Sequence, residues 1–315
     1  MPQPLDPAVQ AMLERMPEPF AIPDPRPPLP VLAQTLRARP TPLPPPPAFD
    51  GTVEQRTVPV RWGSVPARLY RPSGAGDRPP VVAFFHGGGF VLGDLDSHEG
   101  LCRELATAAR ALLLSVDYRL APEHPFPAGL EDAYDATAWL AGAAAELGGD
   151  PGRLGVAGDS AGGNLATATA MLAKAQGGPA IAFQLLFYPK LDFVNEYPSY
   201  AEAHEHGIPR GMSWFFDDCY LPDRARRADP LASPVLASDL AGMPPGLIVS
   251  ADADKLRDEA EVYGQALRSA GVSVATLRAV GQMHGFATIT EAVPSALLIV
   301  RAAAALMGDA LRRRP

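Results

Sequence analysis

The sequence predicts an α/β fold, a mostly parallel sheet covered by helices on both faces. Three observations carry that prediction. From residue 54 onward, short apolar runs alternate with longer stretches of helical pattern, as expected of strand–helix–strand units. One run leads directly into a Gly-x-Ser-x-Gly turn and then an alanine-rich stretch, which reads as a strand–turn–helix junction. The chain has 315 residues, 47% hydrophobic and 20% charged. That is enough to bury a large core without staples, and one large α/β domain fits this length as well as two smaller ones.

The elements follow in order. The first 50 residues contain 16 of the 36 prolines. Proline fixes φ and removes a donor, so this region predicts neither one continuous helix nor a central strand. Short helices are expected at 7–13 and 30–39, with 41–47 as an extended linker. Met12, Leu13, Met16, Phe20, Leu32 and Leu36 offer apolar faces that argue for docking over a disordered tail. Segments 54–61 and 65–70 predict a hairpin around Trp62-Gly63-Ser64. Further strands are expected at 81–85, 111–116, 153–157, 181–187, 246–250 and 274–277. Helices are expected at 97–110, 128–147, 161–175, 255–270 and 292–311. Residues 190–241 break the alternation and are long enough to be an insertion, read as a small helical cap. No internal repeat is visible.

The net charge of −8 and a pI near 5.3 argue against nucleic-acid binding through a general basic surface. Arg312-Arg313-Arg314 reads as a solvated terminus. Cys102 and Cys219 make no disulfide framework and read as one core thiol and one loop thiol. The N-terminus shows no basic start followed by an apolar run, so no signal peptide is expected. The apolar stretch 296–307, interrupted by Arg301, reads as too short to span a bilayer. A soluble cytoplasmic protein is the expectation.

The chemistry concentrates in three places. Gly158-Asp159-Ser160-Ala161-Gly162-Gly163 follows a strand run and opens a helix, the context in which this motif exposes a nucleophilic serine. The turn is too sharp for side chains at its flanks, and the helix points its positive end at developing negative charge. His86-Gly87-Gly88-Gly89-Phe90 follows the strand 81–85. Bare glycine backbone there can approach a substrate closely and hold an oxyanion through its N–H groups, with the Ala161 N–H as a further donor. Each such donor is typically worth about 3–4 kcal/mol in the transition state. A dinucleotide-binding loop is the rival reading, but Leu92 stands where its third glycine belongs.

A hydroxyl needs a base beside it. Of the six histidines, His284 lies in Gly281-Gln-Met-His-Gly-Phe286, beyond the last strand candidate, where an α/β-hydrolase presents its base. His86 reads as a brace for the glycine loop. His204-x-His206 with Glu202 and Glu205 hints at metal ligation but reads as a solvated loop, so no metal is expected. The base needs a carboxylate to fix its tautomer. Asp252, Asp254 and Asp258 follow the strand 246–250; Asp258 would point away, and spacing does not separate the other two. The order Ser, Asp, His suits this fold. Phe90, Trp214, Phe215 and Phe286 are candidates to line the pocket.

These residues resemble the hormone-sensitive-lipase-like esterases, the bacterial type IV family. The resemblance rests on His86-Gly-Gly-Gly-Phe90, Asp117-Tyr-Arg-Leu-Ala-Pro-Glu-His-Pro-Phe-Pro127, Gly158-Asp-Ser-Ala-Gly-Gly163, Asp254-Lys-Leu-Arg-Asp-Glu259 and His284-Gly-Phe286, spanning about residues 80 to 290. It implies an eight-stranded α/β-hydrolase domain over 51–315, capped by residues 1–50 and about 190–241. It implies Ser160, Asp254 and His284 as a triad, Gly88, Gly89 and Ala161 as oxyanion donors, and 117–127 as a brace. Lys255 stands where the family usually has proline. The function implied is serine carboxylesterase action on short- to medium-chain acyl esters, with a small-molecule ester as partner and no cofactor. A homodimer through the last strand and helix is a further expectation. A lactone, amide or carbamate hydrolase would carry the same triad. A non-catalytic binding homologue is the reading from another class; the plant hormone receptors of this kind lack the histidine that His284 supplies here.

Overall fold

Period-two alternation in the central strand β3 (Pro80–Phe85) builds both sides of the molecule. Val81, Ala83 and Phe85 face one apolar core, while Val82 and Phe84 face another, because successive side chains of a strand point to opposite faces. The computed structural model describes residues 4–16, 26–39, 45–202 and 210–313. Its eight strands are β1 (Gly51–Val60), β2 (Gly63–Pro72), β3, β4 (Leu112–Val116), β5 (Asp150–Asp159), β6 (Ile181–Phe187), β7 (Gly246–Ala253) and β8 (Val274–Met283), in the spatial order β1-β2-β4-β3-β5-β6-β7-β8. The pairs β1–β2 and β2–β4 are antiparallel, and the rest are parallel. This is the α/β-hydrolase sheet that the sequence predicts.

The helices are α1 (Pro7–Leu13), α2 (Leu29–Arg37), α3 (Glu99–Ala109), α4 (Ala128–Ala143), α5 (Ala161–Gln176), α6 (Pro198–Glu202), α7 (Arg210–Tyr220), α8 (Arg257–Ser269) and α9 (Pro294–Arg312). α4, α5 and α8 bury their apolar stripes in the first core; α3 and α9 bury theirs in the second. The N-terminal helices dock on separate places. In α1, Pro7 sits in the first turn, where its missing N–H is no loss, and the Asp6 carboxylate caps the Ala8 N–H at 2.8 Å. Asp6 also ties α1 to β8 and α9, through its N–H to Gly281 O (2.9 Å) and its Oδ2 accepting from Ser295 Oγ (2.7 Å). α2 docks on the loops after β3 and β4, where Arg37 donates to Val91 O (2.8 Å) and Ala121 O (2.7 Å).

Some expectations change. β8 runs to Met283, well past residue 277. Five of its ten residues are exposed and its buried end includes Gly281 and Gln282, so the apolar alternation that marks a half-buried strand is absent. The stretch judged too short for a bilayer extends into the 19-residue α9, which qualifies by length and composition alone. Here Ala296, Val300, Ala304 and Met307 of α9 are buried in the second core. Cys102 and Cys219 are both free and buried, but Cys219 lies in helix α7, not in a loop. His204, Glu205, His206, Phe20 and residues 41–44 lie outside the described residues. Among the described residues, no group of three or more His, Cys, Asp or Glu could hold a metal.

Candidate active site

Ser160 sits between β5 and α5 with φ 53° and ψ −118°, a left-handed geometry that costs a non-glycine residue about 1–3 kcal/mol. The surrounding backbone holds it there. Its N–H donates to Phe187 O (2.9 Å), and its carbonyl accepts from Asn164 N–H (3.2 Å) and Lys190 N–H (3.1 Å). A Cβ on Gly162 would stand 1.8 Å from Phe85 O, and one on Gly158 2.3 Å from Gly162 O. Both flanks of the turn must therefore be glycine.

His284 follows the last residue of β8. Its Nε2 lies 2.9 Å from Ser160 Oγ, and its Nδ1 lies 2.8 Å from Asp254 Oδ2. A carboxylate only accepts, so the Nδ1 proton faces Asp254 and the Nε2 lone pair faces the serine. Asp254 is buried and follows β7 directly; its Oδ1 accepts the Leu256 N–H at 3.0 Å. The alternative left open by spacing is thus placed elsewhere. Asp252 comes within 3.9 Å of Arg278, and Asp258 accepts from Ser199 N–H and Arg257 Nε. The Tyr188 ring packs 4.8 Å from the His284 ring.

The glycine loop turns at Gly88 (φ 119°) and Gly89 (φ 63°). Among the described residues, no protein acceptor meets the N–H of Gly88, Gly89 or Ala161. For Ala161 this follows from its place in the first turn of α5, where helix N–H groups lack intrahelical partners. Behind the loop lies a buried polar network. The Asp159 Oδ1 accepts the Gly87 N–H at 2.9 Å and lies 3.2 Å from His98 Nε2. Burial alone would raise the Asp159 carboxyl, but His98 and the Gly87 N–H outweigh it and hold it below the ordinary carboxylate value. Burial pushes His86 down to about 4, so this ring is neutral at working pH. His86 stacks on Tyr118 at 4.4 Å, and the Tyr118 hydroxyl donates to His86 O at 2.7 Å. The segment 117–127 thus touches the loop through Tyr118, and also through Ala121, whose N–H donates to Phe90 O (2.9 Å). Sequence reasoning missed Asp159 and His98. The only available signal was that the first variable position of the serine motif is an acid.

A cavity of about 50 Å³ opens beside Ser160, lined in part by Gly89, Phe90, Ala161, Phe216 and Leu256. Of the four aromatic candidates, Phe90 lines it. Trp214 lines a neighbouring cavity instead. Phe215 is fully buried in the first core and Phe286 in the second, where Phe286 packs 5.2 Å from the Tyr188 ring. Neither reaches the cavity. Phe216 takes the place expected of Phe215, because adjacent helical residues point about 100° apart.

Comparisons with known proteins agree with this geometry. Residues 82–288 match the model of a family described as having the alpha/beta hydrolase fold. The chain is 38% identical over 299 residues to carboxylesterase NlhH of Mycobacterium tuberculosis, covering 93% of this chain and 92% of that protein. It is 38% identical over 251 residues to an ethyl acetate hydrolase of Pseudomonas putida, covering 76% and 78%. Among solved structures, a thermostable esterase from Pseudomonas putida superposes with a TM-score of 0.89 at 34% identity over 99% of both chains. An esterase from Pyrobaculum calidifontis gives 0.84 at 36% identity, over 97% of this chain and 99% of that one. With its elbow serine, glycine loop and eight-stranded sheet, the chain belongs to the α/β-hydrolase fold family, among the carboxylesterases that resemble hormone-sensitive lipase.

Proposed function

We propose that this protein is a serine carboxylesterase in which Ser160, His284 and Asp254 act as one unit. The observation that carries the reading is the contact chain Ser160 Oγ–His284 Nε2 (2.9 Å) and His284 Nδ1–Asp254 Oδ2 (2.8 Å), beside three N–H groups that meet no protein acceptor among the described residues. Ser160 Oγ attacks the ester carbonyl carbon while His284 Nε2 takes its proton. The carbonyl π electrons move to oxygen, and the Gly88, Gly89 and Ala161 N–H groups bind that oxyanion. Asp254 stabilises the imidazolium without taking its proton. The tetrahedral intermediate collapses, the C–O bond to the alcohol breaks, and the alcohol leaves with the proton from His284. Water then attacks the acyl-enzyme by the same route, releasing the acid and restoring Ser160. None of these steps calls on a metal or organic cofactor.

Residues 190–241 act as a cap in this reading. Support comes from α7, whose Ser213, Phe216 and Asp217 line the cavity beside Ser160. The N-terminal segment joins it where the Arg26 guanidinium lies 4.3 Å over the Trp214 ring. The exposed apolar residues Leu277 and Val280 on β8 and Leu298 on α9 support a homodimer through that edge.

The test is hydrolysis of p-nitrophenyl butyrate together with fluorophosphonate labelling located by mass spectrometry. Ser160→Ala is expected to lose at least about 10⁴-fold in kcat, the scale of removing a triad nucleophile, and the label is expected on Ser160. Retained turnover in that variant, or a label on another residue, refutes the assignment.

A further inference from the structure

The cavity beside Ser160 is not the end of the space under the cap. Behind it lies a chamber of about 610 Å³, lined in part by Trp214, Asp218 and Arg227. Among the described residues the two spaces share Lys190, Tyr200, Ser213, Asp217 and Lys255, so these five side chains form the partition. The near space of about 50 Å³ holds on the order of four water-sized groups, at roughly 10–15 Å³ each. A chain of a few carbons fills it.

The chemistry says which arm of the ester enters there, given the serine-esterase reading on which this inference rests. The leaving oxygen must take its proton from His284 Nε2, so the alcohol arm lies on the histidine side. Among the described residues His284 does not line the small cavity, whereas Gly89 and Ala161 do. The small cavity therefore takes the acyl arm.

The partition is tied at two points. Lys190 Nζ donates to Tyr200 OH at 3.0 Å, and both lie against the buried Glu259. Lys255 Nζ donates to Ser213 Oγ at 2.7 Å, joining the acid loop to α7 of the cap. The first tie rests on the fully buried Glu259, with Lys190 and Tyr200 themselves half-buried. The second joins the buried Lys255 of the acid loop to the half-buried Ser213 of α7, and a proline at 255 would have no donor to make it. We propose that the Ser213–Lys255 pair is the stop that sets acyl-chain length, and that opening it lets longer acyl chains run into the chamber behind.

The experiment measures kcat/KM for two ester series in each variant: p-nitrophenyl acetate through octanoate, which varies the acyl arm, and ethyl through octyl acetate, which varies the alcohol arm. In Ser213→Gly and Lys255→Ala, the octanoate-to-acetate ratio is expected to rise at least about ten-fold, the scale on which pockets discriminate added methylenes. Ser213→Leu is expected to lower the hexanoate-to-acetate ratio by a similar factor. The alkyl acetate ratios are expected to stay within about two-fold in all three, well below one methylene's discrimination. Glycine within α7 weakens the helix by about 1 kcal/mol; Ser213→Ala removes only the hydroxyl and reads out the same ratio should the glycine variant fold poorly. An acyl ratio that does not move in Ser213→Ala and Lys255→Ala overturns the proposal, as does an equal shift in both series. The hydrolase reading fails separately, if Ser160→Ala still turns over acetate.

Discussion

Ser160 and the end wall of its cavity stand close together but are held by different means. Backbone holds the serine: a left-handed φ, three main-chain hydrogen bonds, and glycines whose Cβ would collide with Phe85 and Gly162 carbonyls. Side chains hold the wall, through the Lys255–Ser213 bond and a cluster around Lys190, Tyr200 and Glu259. Backbone placement leaves no room for exchange, since any larger residue must move a strand of the sheet. A side-chain wall can change residue by residue while the main chain stays where it is. In the proposed reading, the reaction is built into the backbone geometry of the sheet, and selectivity sits in replaceable side-chain contacts at the cap.

That contrast can be broken or sharpened by substitution. The largest effect is expected at Asp254→Asn, which leaves the shape intact but disfavours the productive His284 tautomer; kcat should fall about 10⁴-fold. Asp252→Asn, two residues away, should leave kcat nearly unchanged, and equal losses would mean the acid has been misplaced. Next comes Gly162→Ala. Its added methyl has nowhere to go beside Phe85 O, so thermal melting should show a loss above about 4 kcal/mol, or no folded protein at all. A melt within a few degrees of the parent would mean the backbone frame is softer than the contrast requires.

The smallest effect concerns the side-chain region. Burial pushes the Glu259 carboxyl up to about 7 from an ordinary 4.5, against the pull of Lys190. A raised folded value contributes stability that is fully present below about 4.5 and is lost as pH rises through about 7. Glu259→Gln removes this titration while keeping an acceptor for the Leu191 N–H. The melting temperature of the parent relative to Glu259→Gln should therefore be highest near pH 5 and decline by pH 8, by at most about 3 kcal/mol in stability. A difference that stays flat with pH would show that Glu259 titrates normally.

How far the sequence reaches can be judged at particular residues. The strand–turn–helix around Ser160 and the glycine loop after β3 follow from local chemistry. Each depends on neighbours within a few positions, and Gly158 and Gly162 are demanded by the turn itself. Asp252 and Asp254 are two apart and fall on one face of an ideal strand, so periodicity could not separate them. A register shift of β7 against β8 between Ala251 and Ala253 does so. Phe215 and Phe216 are likewise equivalent in composition, and only the docking of α7 decides which enters the core.

By itself, then, the sequence determined the sheet, the serine turn and the glycine loop, because periodicity and turn chemistry are encoded over short spans. Only the tertiary structure decided the brace between Asp159 and Gly87, which are 72 residues apart, and the wall between Ser213 and Lys255, which are 42 apart. The physical reason is that a hydrogen bond depends on distance and direction in space. Those are known only once the helices have packed on the sheet and the cap has settled over its carboxyl end.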